Sequence, residues 1–450
     1  MKYHILFLAL TAALSASAQT LTLEQCQERA RQYNHELRDA VLEMEAATEL
    51  KKEAFTKYFP HISANVMAFR MFDEMVKADG TYPQEIAALS TQFAPLIGTP
   101  FSVSEFNRAY AVSASLIQPL YYGGEIVNRN KLARVKQDVT TLKQQLTEKD
   151  VVQKVTECYW QLACVRYNLR TIEAAEKQVE AVTEQVENFL KAGVTTRNSL
   201  LKVRLRQQEL SSARLKLENA DHVLRLLLAQ QIGIEPAEAD KGFDIVLEDR
   251  PVEQPIEAAG AGLGTLPTQR EELQLLGKAV EAQALQVKME RGKYLPHLGI
   301  GLMGYHTGLG GFSENVRQYL HTSLTNGLVF GTLSIPISDW WGGTHALRRQ
   351  KVRLQQAKED YDNAGQMLQI DIERAWTNLQ EAYKQTQIAQ ASREEAAENL
   401  RMSADQYRMS TCTLTDLLDA ETLNRQAEDN LAQAKANYQI ALADYRRKTQ

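Results

Sequence analysis

Asp416 and Asp419 are the titratable residues whose spacing is most suggestive of chemistry. Three apart at the start of a helical pattern, they share one face about 4.5 Å apart along the axis. No basic residue lies among positions 412–421 to neutralise them. Such a pair either complements the positive end of a helix dipole or, repeated around a symmetry axis, forms an anionic ring that attracts cations and raises some of its own pKa values. Both readings are open at this point. No nucleophile–base set, glycine-rich phosphate loop or histidine cluster appears, and the eight histidines are scattered. Cys26, Cys158, Cys164 and Cys412 are too few for a disulfide scaffold and lack the paired spacing of a zinc site. Cys158 and Cys164, six apart, fall on different faces of a helix, so all four read as free thiols. No catalytic residue, metal or cofactor is therefore expected. Gly123-Gly124 and Gly342-Gly343 read as strand-to-helix corners. Tyr121, Tyr122, Trp340 and Trp341 beside them suit an interfacial aromatic belt where strands leave a membrane, or packing at the corners.

The elements that must position these residues are bounded by composition. The chain has 450 residues, 44% hydrophobic and 24% charged, with 23 Gly and 11 Pro, which excludes collagen-like, low-complexity and disordered classes. Its formal net charge of −5 argues against a nucleic-acid partner. Lys2, the apolar run Ile5 to Leu14 and Ala16-Ser17-Ala18 read as a signal peptide over residues 1–18, cut before Gln19. The run is too short to span a bilayer as a helix. Cys26 lies too far past the cut to carry an acyl anchor. No later segment is long and apolar enough for a membrane helix, so membrane insertion would have to use β-strands.

Internal repeats organise the remainder. Lys57-Tyr58-Phe59-Pro60-His61-Ile62 recurs as Lys293-Tyr294-Leu295-Pro296-His297-Leu298. Ile117-Gln118-Pro119-Leu120 before Gly123-Gly124 recurs as Ser334-Ile335-Pro336-Ile337 before Gly342-Gly343. Ala192-Gly193-Val194-Thr195, leading into Ser199, is echoed by Met409-Ser410-Thr411-Cys412, leading into Asp416. The chain thus reads as a tandem duplication: signal peptide 1–18, first repeat 19–232, loop-rich equatorial linker 233–267 and second repeat 268–450.

Each repeat holds two period-two segments. Ile62, Ala64, Val66 and Ala68 alternate with His61, Ser63 and Asn65, and Tyr110, Val112, Ala114 and Leu116 alternate with Ala111, Ser113 and Ser115. Leu298, Ile300 and Leu302, then Val329, Leu333 and Ile335, repeat the pattern. Lengths of about ten residues suit a tilted membrane strand, and half-buried strands of a soluble sheet equally. Met71–Arg108 and His306–Asn326 are expected as the connecting loops. After each diglycine, apolar spacings of three and four predict a long coiled-coil helix, to Gly193 and to Ser410. At about 1.5 Å per residue each runs roughly 100 Å. Shorter helices return from Ser199 to about Gln231 and from Asp416 to about Arg447. Helices over Leu23 to Phe59 and Glu271 to Leu295 precede the strands and could complete the wall of a tube.

Four strands cannot close a membrane barrel, and an open edge in lipid leaves backbone groups unsatisfied. The chain must assemble to insert: a trimer supplies twelve strands, and a dimer eight. Here the residues resemble the TolC-like outer-membrane efflux proteins. The resemblance spans Leu21-Thr22-Leu23-Glu24-Gln25-Cys26, the strand starts at Pro60 and Pro296, Gln118-Pro119-Leu120 with Gly123-Gly124, the Ala192-Gly193-Val194 tip, and the tail Tyr438 to Arg447. It implies a mainly α protein with a membrane β-barrel contribution: long coiled-coil hairpins in two tandem repeats, and four β-strands per chain completing a twelve-stranded barrel in a homotrimer. It also implies an outer-membrane location reaching into the periplasm, contact with outer-membrane lipid, and no catalysis. The partners it implies are a periplasmic adaptor and an inner-membrane pump of RND or ABC type, in tripartite efflux or type I secretion. The tips Gly193, Val194, Thr195, Ser410, Thr411 and Cys412 would dock the adaptor. Asp416 and Asp419 would ring the periplasmic entrance, with Tyr407 at the position of the closed-gate tyrosine. Cys412 stands where the family has a latch arginine, a role open to Arg408 or Arg197. A periplasmic adaptor, which also joins helical hairpins to β-structure, is the alternative reading.

Overall fold

The computed structural model describes residues 19–70, 108–235, 237, 239, 243–256, 268–313 and 318–449. The expected signal peptide, nearly all of the first connecting loop and much of the linker lie outside the described residues. The chain divides into two compact units, one of residues 1–46, 138–278 and 358–450, the other of 47–137 and 279–357. Each unit draws on both halves of the sequence.

The second unit holds a four-stranded antiparallel sheet of β2 (His61–Arg70), β3 (Arg108–Tyr122), β5 (His297–Ser313) and β6 (Gln318–Ser334), in the order β2-β3-β5-β6. Two hairpins, one per repeat, join through β3 and β5, leaving β2 and β6 at the edges. The period-two reading holds in the register: Ile62 faces Leu116, Val66 faces Val112 and Leu302 faces Val329, so one face carries an aliphatic strip. Ser63 faces Ser115 on the other, their hydroxyls 2.9 Å apart. β2 has the expected ten residues, while β3 has 15 and β5 and β6 have 17 each. The expected loop His306–Asn326 is mostly strand. Glycines disguise the alternation there, and aromatic rings from neighbouring strands cover two glycines of β5. A Cβ on Gly301 would meet the Phe330 ring at 2.4 Å, and one on Gly308 the Tyr110 ring at 2.2 Å.

The first unit is helical. Thr22 and Gln25 form a reciprocal capping box that starts α1 (Leu23–Tyr33). The single helix expected from Leu23 to Phe59 is instead broken at Asn34, which is extended at ψ 135° and caps the helices on both sides. Its N–H donates to Ala30 O at 2.9 Å, while its Oδ1 accepts from Glu36 N at 2.8 Å to begin α2 (His35–Thr56). Its Nδ2 donates to Gln231 O at 2.9 Å. The remaining helices are α3 (Glu125–Lys191), α4 (Arg197–Gln231), α5 (Glu271–Gly292), α6 (Gly342–Arg408) and α7 (Leu414–Thr449). Among the described residues no helix is long and apolar enough to cross a membrane.

Phe243–Ile245 of the linker forms β4, which pairs in parallel with β1 (Gln19–Leu21). Phe243 and Ile245 are buried with Cys26, Val155, Tyr159 and Leu228. The Tyr159 hydroxyl donates to Val246 O at 2.5 Å, and Arg166 bridges Asp221, at 2.9 Å, to Asp244. These ties hold the described part of the linker against the helices. All four cysteines are free. Burial pushes Cys26 up to about 12 and Cys164 to about 11, and raises Cys158, leaving three inert thiols.

Candidate functional site

The two helical turns of the first unit are built alike from different residues. After α3, Val194 N–H returns to Phe189 O at 2.9 Å and Gly193 N–H to Leu190 O at 3.0 Å. After α6, Thr411 N–H returns to Gln406 O at 2.8 Å and Ser410 N–H to Tyr407 O at 3.0 Å. Both are Schellman-type closures that need a left-handed residue, supplied by Gly193 at φ +73° and by Ser410 at φ +60°. A Cβ on Gly193 would meet nothing within 4 Å, so backbone conformation, not packing, favours glycine there. Val194 is 70% exposed, and Ser410 and Thr411 are also open to solvent, whereas Thr195 and Cys412 are half-buried.

Each returning helix then starts on a threonine cap. Thr196 Oγ1 accepts from Ser199 N at 3.3 Å. In the second turn Thr413 Oγ1 accepts from Asp416 N at 3.2 Å, and Asp416 Oδ2 accepts from Thr413 N at 2.9 Å. Asp416 is thus the return half of a capping box, and its hydrogen bonds from Thr413 hold the carboxyl below the usual aspartate range. Asp416 and Asp419 are both exposed, while Leu417, Ala420 and Glu421 turn inward. The structure therefore brings the two aspartates to one open face, and within one chain Asp416 also serves its helix start.

Tyr407 is buried in a cluster with Val186, Val203, Leu210, Leu414 and Leu417 that fastens the two hairpins together. Its ring centroid lies 6.5 Å from that of Phe189, and burial raises its hydroxyl. Cys412 Sγ lies 3.4 Å from Ser403 O as a donor. Arg408 pairs with Asp405 at 2.8 Å. Two links between hairpins carry no sequence signal. Lys202 Nζ donates to Thr415 Oγ1 at 3.0 Å, and Arg206 donates through Nε and Nη2 to one oxygen of Glu421 at 2.9 and 2.7 Å.

In the other unit the aromatic set is divided. A β-bulge between Pro119 and Tyr121 shifts the alternation, so Tyr121 pairs with Leu298 on the aliphatic face while Tyr122 stacks on its partner His297 on the opposite face, centroids 5.0 Å apart. Gly123 and Gly124 make their corner at φ +57° and +77°. The expectation for Gly342-Gly343 needs correction: they open α6, and the left-handed corner falls on Trp340 (φ +54°) and Trp341 (φ +72°). A Cβ on Gly343 would meet the Tyr294 ring at 2.3 Å, which explains a glycine inside the helix. The two indoles are 82% and 73% exposed, so no packing among the described residues accounts for them. Among the described residues no group of three or more His, Cys, Asp or Glu could hold a metal.

The outer membrane efflux protein family matches this chain over residues 27–230 and 265–447. No curated protein matches it. Among solved structures, the outer membrane protein VceC from Vibrio cholerae is 15% identical, covering 95% of this chain and 96% of its own, at a TM-score of 0.73. The CmeC outer membrane channel of Campylobacter jejuni is 15% identical over 95% of this chain and 85% of its own, at 0.75. The MtrE outer membrane channel of Neisseria gonorrhoeae, in its open state, is 17% identical over 95% and 88%, at 0.70. The shared fold is that of channels rather than of an adaptor, and the family is one of transport proteins rather than enzymes. With both long hairpins and both strand pairs within the matched residues, the chain belongs to the TolC-like outer membrane efflux protein family.

Proposed function

We propose that three copies of this chain close a twelve-stranded barrel in the outer membrane and line a periplasmic helical tunnel. The assembly is the exit duct of a tripartite efflux or type I secretion system. The observation that carries this reading is the sheet: four antiparallel strands with an aliphatic strip on one face and two open edges, β2 and β6. An open edge is untenable in hydrocarbon, and pairing β2 of one copy with β6 of the next removes every edge. In this reading residues 19–232 and 268–450 are the two repeats. The tips Gly193–Thr195 and Ser410–Cys412 meet a periplasmic adaptor serving an RND or ABC pump. Asp416 and Asp419 ring the entrance, Tyr407 fixes the gate hairpins, and Tyr121, Trp340 and Trp341 lie at the lipid boundary. The test is extraction and mass. The chain should leave outer membranes only with detergent and run as a trimer, whereas a monodisperse monomer soluble without detergent would reject the channel.

A further inference from the structure

Between α3 and α7 the helical unit holds a cavity of about 750 Å³, the size of a small-molecule site. Its walls follow from helix periodicity. Trp160, Ala163, Tyr167 and Arg170 of α3 line it at spacings of three and four, as do Ala432, Ala436 and Gln439 of α7, so each helix presents one face. Cys164 Sγ lies 3.5 Å from Gln433 Oε1, and Arg447 pairs with Asp150, so the two helices run antiparallel. Trp160 and Gln439 therefore share one end of the cavity, and Arg170 stands about 15 Å further along α3.

The charges around the cavity do not balance. Arg250 pairs with Glu248, Lys435 with Asp249, Arg393 with Glu428, Arg425 with Asp429, and Glu421 with Arg206. Arg170 is exposed and has no ion-pair or hydrogen-bond partner among the described residues. One positive charge is left over, and the guanidinium fork matches a carboxylate through paired hydrogen bonds. At the other end Trp160 is 5% and Gln439 8% exposed. Neither the indole N–H nor the side-chain amide has a hydrogen-bond partner among the described residues, although buried polar groups are rarely left so. Between the ends the lining is apolar and aromatic, with Ala163, Leu431, Ala432 and the ring of Tyr167.

We propose that this cavity binds a small aromatic carboxylate that carries a hydroxyl remote from its carboxylate. The carboxylate pairs with Arg170, the ring lies against Tyr167 and Leu431, and the hydroxyl meets the Trp160 N–H and the Gln439 amide. A compact anion such as phosphate would leave the last two groups unpaired. The lining belongs to one chain and one compact unit, so binding there requires neither the trimer nor the barrel.

The test is calorimetric titration of para-hydroxycinnamate into the detergent-purified protein. Wild type should bind saturably. Arg170→Gln, an exposed change, should weaken binding about tenfold or more, as expected for lost hydrogen bonds to a charged group, and Arg170→Lys should weaken it less. The uncharged para-hydroxycinnamide should bind wild type and Arg170→Gln alike. Trp160→Phe keeps a ring but removes the indole N–H, and should erase the wild-type preference for para-hydroxycinnamate over cinnamate. Absence of saturable binding to wild type overturns the proposal, as does equal affinity of wild type and Arg170→Gln, which would mark partition into detergent. Should Trp160→Phe fail to fold, wild type alone decides the second contact: equal binding of para-hydroxycinnamate and cinnamate overturns the hydroxyl's place at Trp160 and Gln439.

Discussion

At the tip of the helical unit, Arg206 and Glu421 sit with side chains 11% and 4% exposed, and Glu421 Oε1 is buried with no hydrogen-bond partner. Such a pair contributes little net stability but is costly to break, because the remaining charge stays buried. Glu421→Ala should therefore destabilise the assembled protein by about 3 kcal/mol or more. Arg206→Met/Glu421→Leu together should be near neutral, measured by thermal unfolding in detergent; equal losses in the two variants would place the pair's value elsewhere. The exposed aspartates divide differently. Asp416 is tied to Thr413 while Asp419 is exposed, so Asp419→Asn tests the entrance charge with the capping box intact. Single-channel recording should show weaker cation preference and weaker block by multivalent cations, with the trimer preserved. Replacing Asp416 as well should deepen both effects. Selectivity unchanged in an assembled double variant would leave only the helix-start role. The helix-start role of Asp416 was legible in the sequence as one of two open readings; one chain shows the cap, whereas a ring would need symmetry.

Among elements, the two tips offer a comparison within one chain. Both turns need a left-handed residue, which costs a non-glycine L-residue roughly 1–2 kcal/mol. Gly193→Val should lose at least that much and impair export without dissolving the trimer. Ser410→Gly, at φ +60°, should gain about 1 kcal/mol, both read from melting temperature. A neutral Gly193→Val would mean that the first turn tolerates reshaping. Glycine is the sequence's signal for such a turn, and the second was found by its place in the repeat. The same logic misplaced the second corner, where the left-handed pair is Trp340-Trp341 and the glycines begin α6. Helix bounds were legible because apolar spacing is periodic. Asn34 was not, because its break is stabilised by Gln231, far away in sequence. Nor was the β1–β4 pairing, because its three-residue strands are too short to show a period.

For the whole molecule, chain direction fixes sidedness. Every strand of the sheet has one end joined to a helix-bearing segment and the other to residues 71–107 or 314–317. If the helices occupy the periplasm, both connections emerge outside the cell, irrespective of their conformation. An epitope inserted near Gly80 should then be labelled by antibody on intact cells, and at the same level after the outer membrane is permeabilised. The insertion should be tolerated thermodynamically, since lengthening a connection that is already long adds only about 0.6 kcal/mol per doubling of loop length. Labelling confined to permeabilised cells would place the loops inside and the helical tips outside. That outcome would separate Gly193 and Ser410 from any periplasmic adaptor and remove the efflux topology even if the trimer formed.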